Sequence, residues 1–340
     1  MRPCRSGHGL RIFLALGFLL HRSAHAEIGG FKGPDPEVLD FCNATEDDQA
    51  VRVEAESDFH GPLMIAEISN ATIGYFRFGD QTTGRPPLLV FAPFGYTMGD
   101  MPRPAMRSLA AHQEVILFDH RGQGFSTDYS NDPPSIVSMA NDAMELVEAL
   151  HLSTKPNVLS FSLGSCVALA VAVLHGPSFA SFVIASGSAG SPNSPPATAW
   201  AQSVLLDPEA RPLEQLAIVY PLQYQSAARA ACDWYLNADP LAPDPYNFTT
   251  ASRQAFALVE FFLSETRVWD GLPGVKNSLL LMGGEEDVVM PVDSQKLVAA
   301  RAARAWSIVF KEAGHTAVLQ FPEVAFAIME QFLTFESSLG

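Results

Sequence analysis

The chain has little charge and almost no thiol. Of its 340 residues only 17% are Asp, Glu, Lys or Arg, and the acids outnumber the bases by 37 to 21. A formal charge of −16 disfavours nucleic acid and anionic membranes, and to a lesser degree highly anionic substrates. Cysteine occurs four times, and neither Cys nor His recurs at metal-ligand spacing. No glycine-rich phosphate loop follows a strand pattern. No metal and no organic cofactor is therefore implied. Internal repeats and low-complexity tracts are also missing. What is abundant is apolar residues, at 48%, which describes a globular protein able to bury a large core.

Long apolar runs are scarce as well. Ile12–Leu20 follows Arg2, Arg5 and Arg11 and precedes the small-x-small tripeptide Ala24-His25-Ala26. Such a run is too short to span a bilayer, so residues 1–26 read as a secretory signal peptide rather than an anchor, and no membrane span is expected after cleavage. Its loss removes four arginines and no acid, leaving 17 bases against 37 acids, a formal −20. The expected location is secreted or extracytoplasmic. Cys4 leaves with the leader. An oxidising compartment permits a Cys42–Cys232 disulfide without establishing it, and Cys166 reads as a buried free thiol. Asn43-Ala44-Thr45, Asn70-Ala71-Thr72 and Asn247-Phe248-Thr249 fit the glycosylation pattern.

Residues 27–60 are acidic and aperiodic and read as an N-terminal extension. Regular structure begins after them. Leu63–Ser69 and Thr72–Phe78 predict an antiparallel edge hairpin turning at Asn70-Ala71. The short apolar runs Leu88–Phe91 and Val115–Phe118 suit strands buried on both faces, Phe182–Ala185 reads as another strand, and Ser278–Met282 and Trp306–Phe310 resume the sheet further on. Helical patterns at Ser135–Leu150, Leu163–His175 and Phe321–Phe335 alternate with them. That alternation predicts an α/β fold with a mostly parallel sheet flanked by helices. The rhythm breaks at residues 190–271, where Leu213–Val219, Ala227–Leu236 and Ala251–Ser264 read as helices and nothing reads as a strand. This stretch is expected to be a helical cap inserted between 61–189 and 272–340, the two parts of the core. Its aromatic residues, Trp200 and Tyr220 among them, are expected to pack the cap's own core.

Ser162 stands in Asn157-Val158-Leu159-Ser160-Phe161-Ser162-Leu163-Gly164-Ser165, where an apolar run meets small residues and then an Ala/Val/Leu-rich helix. That layout suits a nucleophile elbow, a sharp strand-to-helix turn that lifts a serine hydroxyl above a sheet. Small residues are needed two positions either side, because strand and helix backbones crowd there. Gly164 satisfies this, and Ser160 stands where the common pattern has glycine. A serine hydroxyl needs a base, and the base an orienting carboxylate. Both follow downstream, in Gly283-Gly284-Glu285-Glu286-Asp287 and in Glu312-Ala313-Gly314-His315.

Phe118-Asp119-His120-Arg121-Gly122-Gln123-Gly124-Phe125-Ser126 is more specific. It resembles the Asp-x-Arg-Gly-x-Gly-x-Ser segment of α/β-hydrolases with helical caps, and with the three motifs above the resemblance covers residues 63–338. It implies Ser162 as nucleophile, His315 as general base and acid, and Asp287 as the orienting carboxylate. Asp287 is preferred to Glu285 and Glu286 because Gly284–Pro291 resembles the family's Gly-x-x-Asp-x-x-x-Pro loop. Some relatives carry the acid one strand earlier, but residues 176–206 contain neither Asp nor Glu. Asp119, His120 and Arg121 are expected to brace the turn, and His112, His151 and His175 to cap helix ends. The oxyanion loop departs from the family's His-Gly pattern, reading Phe91-Ala92-Pro93-Phe94-Gly95-Tyr96-Thr97. The donors expected there are the backbone N–H groups of Phe94 and Leu163, or of Tyr96 in place of Phe94 if the register lies two residues later.

The resemblance implies hydrolysis of an apolar or weakly polar ester, lactone or related acyl compound through an acyl-serine. Two other readings stay open on the residues alone. One is a ligand-binding protein that kept the scaffold and lost turnover. The other is a related enzyme with the same residues, a carbon–carbon hydrolase, perhydrolase or aminopeptidase.

Overall fold

The computed structural model describes residues 61–101, 103–130, 132–190, 194–206, 217–221 and 248–339. The leader, the N-terminal extension, Cys42, Cys232, Asn43, Asn247 and the helical pattern at 227–236 lie outside these residues.

Eight strands form one sheet in the order β1-β2-β4-β3-β5-β6-β7-β8. They are β1 (Met64–Ile68), β2 (Ala71–Gly79), β3 (Leu88–Phe91), β4 (Glu114–Phe118), β5 (Asn157–Phe161), β6 (Ser181–Ala185), β7 (Ser278–Gly284) and β8 (Ala305–Phe310). Only β2 runs against the rest: it pairs antiparallel with both of its neighbours, β1 and β4, while every other neighbouring pair is parallel. Strands β3 to β7 are buried along their whole length, which is why they read as unbroken apolar runs rather than alternating ones.

Successive side chains still divide between the two faces. Leu89 and Phe91 enter a core beneath α2 (Ile136–Ala149) and α3 (Leu163–His175). Leu88 and Val90 enter the opposite core, beneath α1 (Arg103–Ala110) and α9 (Pro322–Leu339). Helix α2 starts where Ser135 accepts the Ser138 N–H at 3.0 Å, and it buries Ile136, Met139, Ala140, Ala143 and Leu146, a stripe of helical period. Helix α3 is apolar nearly all round because it lies pressed between the sheet, α2 and α6 (Arg267–Gly271). Cys166 is wholly buried on it, and burial pushes its thiol up to about 12, so this cysteine is an inert packing residue.

Between β6 and β7 the described residues are helical or irregular: α4 (Ala199–Leu206), a turn of helix at 217–219, α5 (Phe248–Leu263) and α6. Ala201, Val204 and Ile218 make a small cluster of their own, with Trp200, Val288 and Val289 packed against it. Tyr220 is buried and hydrogen-bonds Thr316. These contacts press the inserted segment onto the loops that follow β7 and β8. The remaining helices are α7 (Val292–Arg301) and the short α8 (Ala317–Gln320). One expectation needs correcting. His175 does not cap α3; its Nε2 pairs with the Asn141 side chain on α2 at 2.8 Å, a bond between helices.

Candidate active site

Parallel strands all end at the same edge of a sheet, so the loops after β3, β5, β7 and β8 converge there. Ser162 follows β5 directly with φ 51° and ψ −116°, a left-handed conformation that costs a non-glycine residue free energy and persists only where the surroundings enforce it. They do so here. The Ser162 N–H donates to Ala185 O at 3.0 Å, and Ser162 O accepts from the Ser165 and Cys166 amides. A Cβ on Gly164 would lie 2.5 Å from Phe91 O and 2.6 Å from Ala92 O, so helix and strand approach closely enough to demand glycine. Ser160 fits because its hydroxyl has partners. Ser160 Oγ donates to Val183 O at 2.8 Å, and Ser165 Oγ to Ala185 O at 2.8 Å.

The structure brings the three expected side chains into one line. His315 Nε2 lies 2.8 Å from Ser162 Oγ, and His315 Nδ1 lies 2.8 Å from Asp287 Oδ2. A carboxylate only accepts, so Nδ1 carries the hydrogen and Nε2 accepts the serine O–H. The second oxygen, Asp287 Oδ1, accepts the Val289 and Met290 amides at 2.9 and 2.8 Å, which fixes the carboxylate in its loop. Asp287 is 5% exposed, whereas Glu285 and Glu286 face solvent. The backbone of His315 is held by residues that local sequence patterns do not mark. Ser186 Oγ donates to His315 O at 2.7 Å, Gln320 Oε1 accepts the Gly314 N–H at 2.7 Å, and the Thr316 amide and hydroxyl both reach Val219 O. Each partner except Gln320 lies about a hundred residues away in the chain, so no spacing rule could have found it.

Residues 89–328 match the model of the alpha/beta hydrolase family. The chain belongs to that family. Among curated relatives, a Caulobacter sp. (strain K31) protein named "Putative carbamate hydrolase RutD" is 25% identical over 271 residues, covering 76% of this chain and 95% of that one. Among solved structures, an alpha/beta hydrolase fold protein from Chitinophaga pinensis superposes with a TM-score of 0.68 at 18% identity, covering 80% of this chain and 97% of the other. The enol-lactonase from Burkholderia xenovorans LB400 gives 0.62 at 18% identity, with 80% and 100% covered.

In this α/β hydrolase the segment after β4 braces the site, as the resemblance implied. Asp119 accepts the Met98 N–H at 2.7 Å and the Phe125 N–H at 2.8 Å. Burial pushes its carboxyl up to about 7, partly offset by those two bonds. His120 packs against Phe91 and Phe118, and burial lowers it to about 4, so the ring stays neutral near pH 7 and its Nε2 lies 3.3 Å from Ala92 O. Arg121 pairs with Asp142 on α2, with Asp128 3.7 Å away. None of the three reaches the Ser162–His315–Asp287 line.

The loop after β3 is therefore held from below at Ala92 and Met98. Its Tyr96 N–H closes a turn onto Pro93 O at 3.2 Å, so that amide is engaged within the loop. Leu163, the other candidate, is the first residue of α3, a position whose amide has no partner within its helix.

Proposed function

We propose that this α/β hydrolase is a serine hydrolase that cleaves an uncharged carboxylic ester, lactone or related acyl compound through an acyl-Ser162 intermediate. The observation that carries the reading is the unbroken hydrogen-bonded line Ser162 Oγ–His315 Nε2, His315 Nδ1–Asp287 Oδ2, at 2.8 Å for each bond. In this reading His315 takes the Ser162 proton as Oγ attacks the carbonyl carbon, and Asp287 stabilises the imidazolium that forms. The oxyanion rests on the Phe94 and Leu163 N–H groups. His315 then protonates the leaving alcohol. A water, deprotonated by the same imidazole, releases the acid and restores Ser162. No step draws on a metal or organic cofactor. The formal charge of −16 favours neutral over anionic substrates. Residues 1–26 alone support placing the mature protein outside the cytoplasm.

The test is a substrate panel with the purified protein: p-nitrophenyl esters from acetate to octanoate, five- and six-membered lactones, and a carbamate of the same phenol. A carbamate nitrogen feeds electrons into its carbonyl and blunts attack. The expected result is kcat/KM at least about tenfold higher for the best ester or lactone than for the carbamate, a difference of about 1.4 kcal/mol in the barrier. Turnover confined to the carbamate would move the assignment towards the activity in the Caulobacter relative's name. No turnover of any member would count against the reading.

A further inference from the structure

We infer that Gln254, on α5 of the inserted segment, is a positioning residue for the oxyanion loop. This rests on the reading of Ser162 and Phe94 given above. Residues Pro93–Tyr96 form a four-residue turn closed by the Tyr96 amide, with Gly95 at φ 73° in its third position. A left-handed residue there is the mark of a type II turn, which differs from type I by a flip of the central peptide. That peptide joins Phe94 to Gly95. Its N–H donates to Gln254 Oε1 at 2.9 Å, in a buried bond between residues far apart in the chain. Gln254 thus selects one of the two orientations open to the peptide immediately after the proposed donor.

Packing alone does not explain a glutamine at this position. Gln254 is 1% exposed, and because Oε1 accepts from Gly95, its remaining group is an amide Nε2 with no partner among the described residues. Burying such a donor unpaired costs free energy that a methionine of similar shape would avoid. The bond to Gly95 is what glutamine offers and methionine does not. The helix that carries it is also well anchored on that side. Thr250 Oγ1 donates to Gly122 O at 2.8 Å, and Arg253 reaches Asp128 Oδ2 at 2.5 Å and Asp132 O at 2.6 Å. Residues 250, 253 and 254 share one helical face, so α5 sits on the same brace that holds Ala92 through His120 and Met98 through Asp119. The loop is gripped from the core side by the brace and from the inserted segment by Gln254.

The experiment compares wild type with Gln254→Met, which keeps the shape and loses the acceptor, and Gln254→Glu, which keeps an acceptor oxygen. Turnover of p-nitrophenyl butyrate, inhibition by a butylboronic acid that adds to Ser162, melting temperature and amide exchange at Gly95 are read for all three. Gln254→Met is expected to lower kcat by about ten- to a hundredfold, less than the 10²–10³ typical of losing a whole donor, with KM within threefold. Its boronate Ki should rise by the same factor and Gly95 exchange should accelerate, while Gln254→Glu recovers most of kcat. A packing role alone would lower the melting temperature of both variants and leave kcat per folded molecule unchanged. Wild-type kcat and Ki in Gln254→Met overturn the inference and leave the serine-hydrolase reading intact. If the folded wild type neither turns over an ester nor binds the boronate, that reading fails; unchanged Gly95 exchange in Gln254→Met then overturns this inference separately.

Discussion

Replacing Ser162 by alanine is expected to lower kcat for an activated ester by about 10⁴–10⁶-fold with KM little changed, and replacing His315 by alanine to do comparable damage. The reason is the directness of the line they form. Ser162 Oγ has its acceptor, His315 Nε2, at 2.8 Å, so neither a nucleophile without a base nor a base without a nucleophile retains the reaction path. Because the two act as one unit, the double variant should be no worse than the worse single one. Asp287→Asn should cost about 10⁴-fold by a different route. An amide nitrogen facing Nδ1 would turn the imidazole to the other tautomer, leaving a hydrogen where Nε2 must accept. Melting curves of the variants should stay near wild type, which separates lost chemistry from lost fold. If Ser162→Ala kept more than about 1% of kcat, the proposed nucleophile would be wrong.

The second large effect is structural. Gly164→Ala is expected to destabilise the protein by about 3 kcal/mol, the upper end for overpacking, since both atoms in the way are backbone carbonyl oxygens that no rotamer can move. The added methyl would meet Phe91 O at 2.5 Å and Ala92 O at 2.6 Å, so α3 and the end of β3 must part. For a protein of 340 residues, with an unfolding entropy of about 2.1 cal/mol/K per residue, that corresponds to a fall of roughly 4–5 °C in melting temperature. Activity should fall as well, because Ala92 leads directly into the loop carrying Phe94. A melting temperature within 2 °C of wild type and full activity would show that the elbow has slack the geometry denies.

Much of this was legible in the sequence where one local pattern carries one element. Leu88–Phe91 and Leu163–His175 fall where their apolar runs placed them, and the antiparallel pair at the sheet edge forms as expected but turns one residue earlier, at Ser69-Asn70, with Ala71 already paired to Ile68. Ser162, Asp287 and His315 were readable because each sits at a strand end within a short motif, and parallel strands must bring their ends together. Other features escaped for physical reasons. Helix α7 buries Ser294 and Gln295 beside Val298, so its inward face is polar and gives no apolar stripe; Gln295 Nε2 instead bonds Ser307 Oγ and Ile308 O. Helix α1 buries Ala105, Met106, Leu109 and Ala110 at helical spacing, but it is only eight residues long and opens with Arg-Pro, so the pattern is too short to stand out from the loops around it. The supports of the site were invisible for a third reason. Ser186 to His315 and Gln254 to Gly95 are single hydrogen bonds between residues 129 and 159 positions apart, which only the closed fold brings together.

The oxyanion loop shows the same division. Its Ala92-Pro93 departure from the family's His-Gly pattern was plain in the chain, but the partners that hold the loop's backbone were not. His120, Asp119 and Gln254 supply those partners, from β4's loop and from α5. The backbone, rather than any side chain of residues 92–96, is what they hold in place.

The most direct test of the account is intact-mass analysis of the folded wild-type protein after treatment with a fluorophosphonate, which phosphonylates only an activated serine. One adduct is expected, mapped by peptide sequencing to Ser162 and absent from Ser162→Ala and from His315→Ala. No adduct on folded wild type, or an adduct that survives Ser162→Ala, would contradict it.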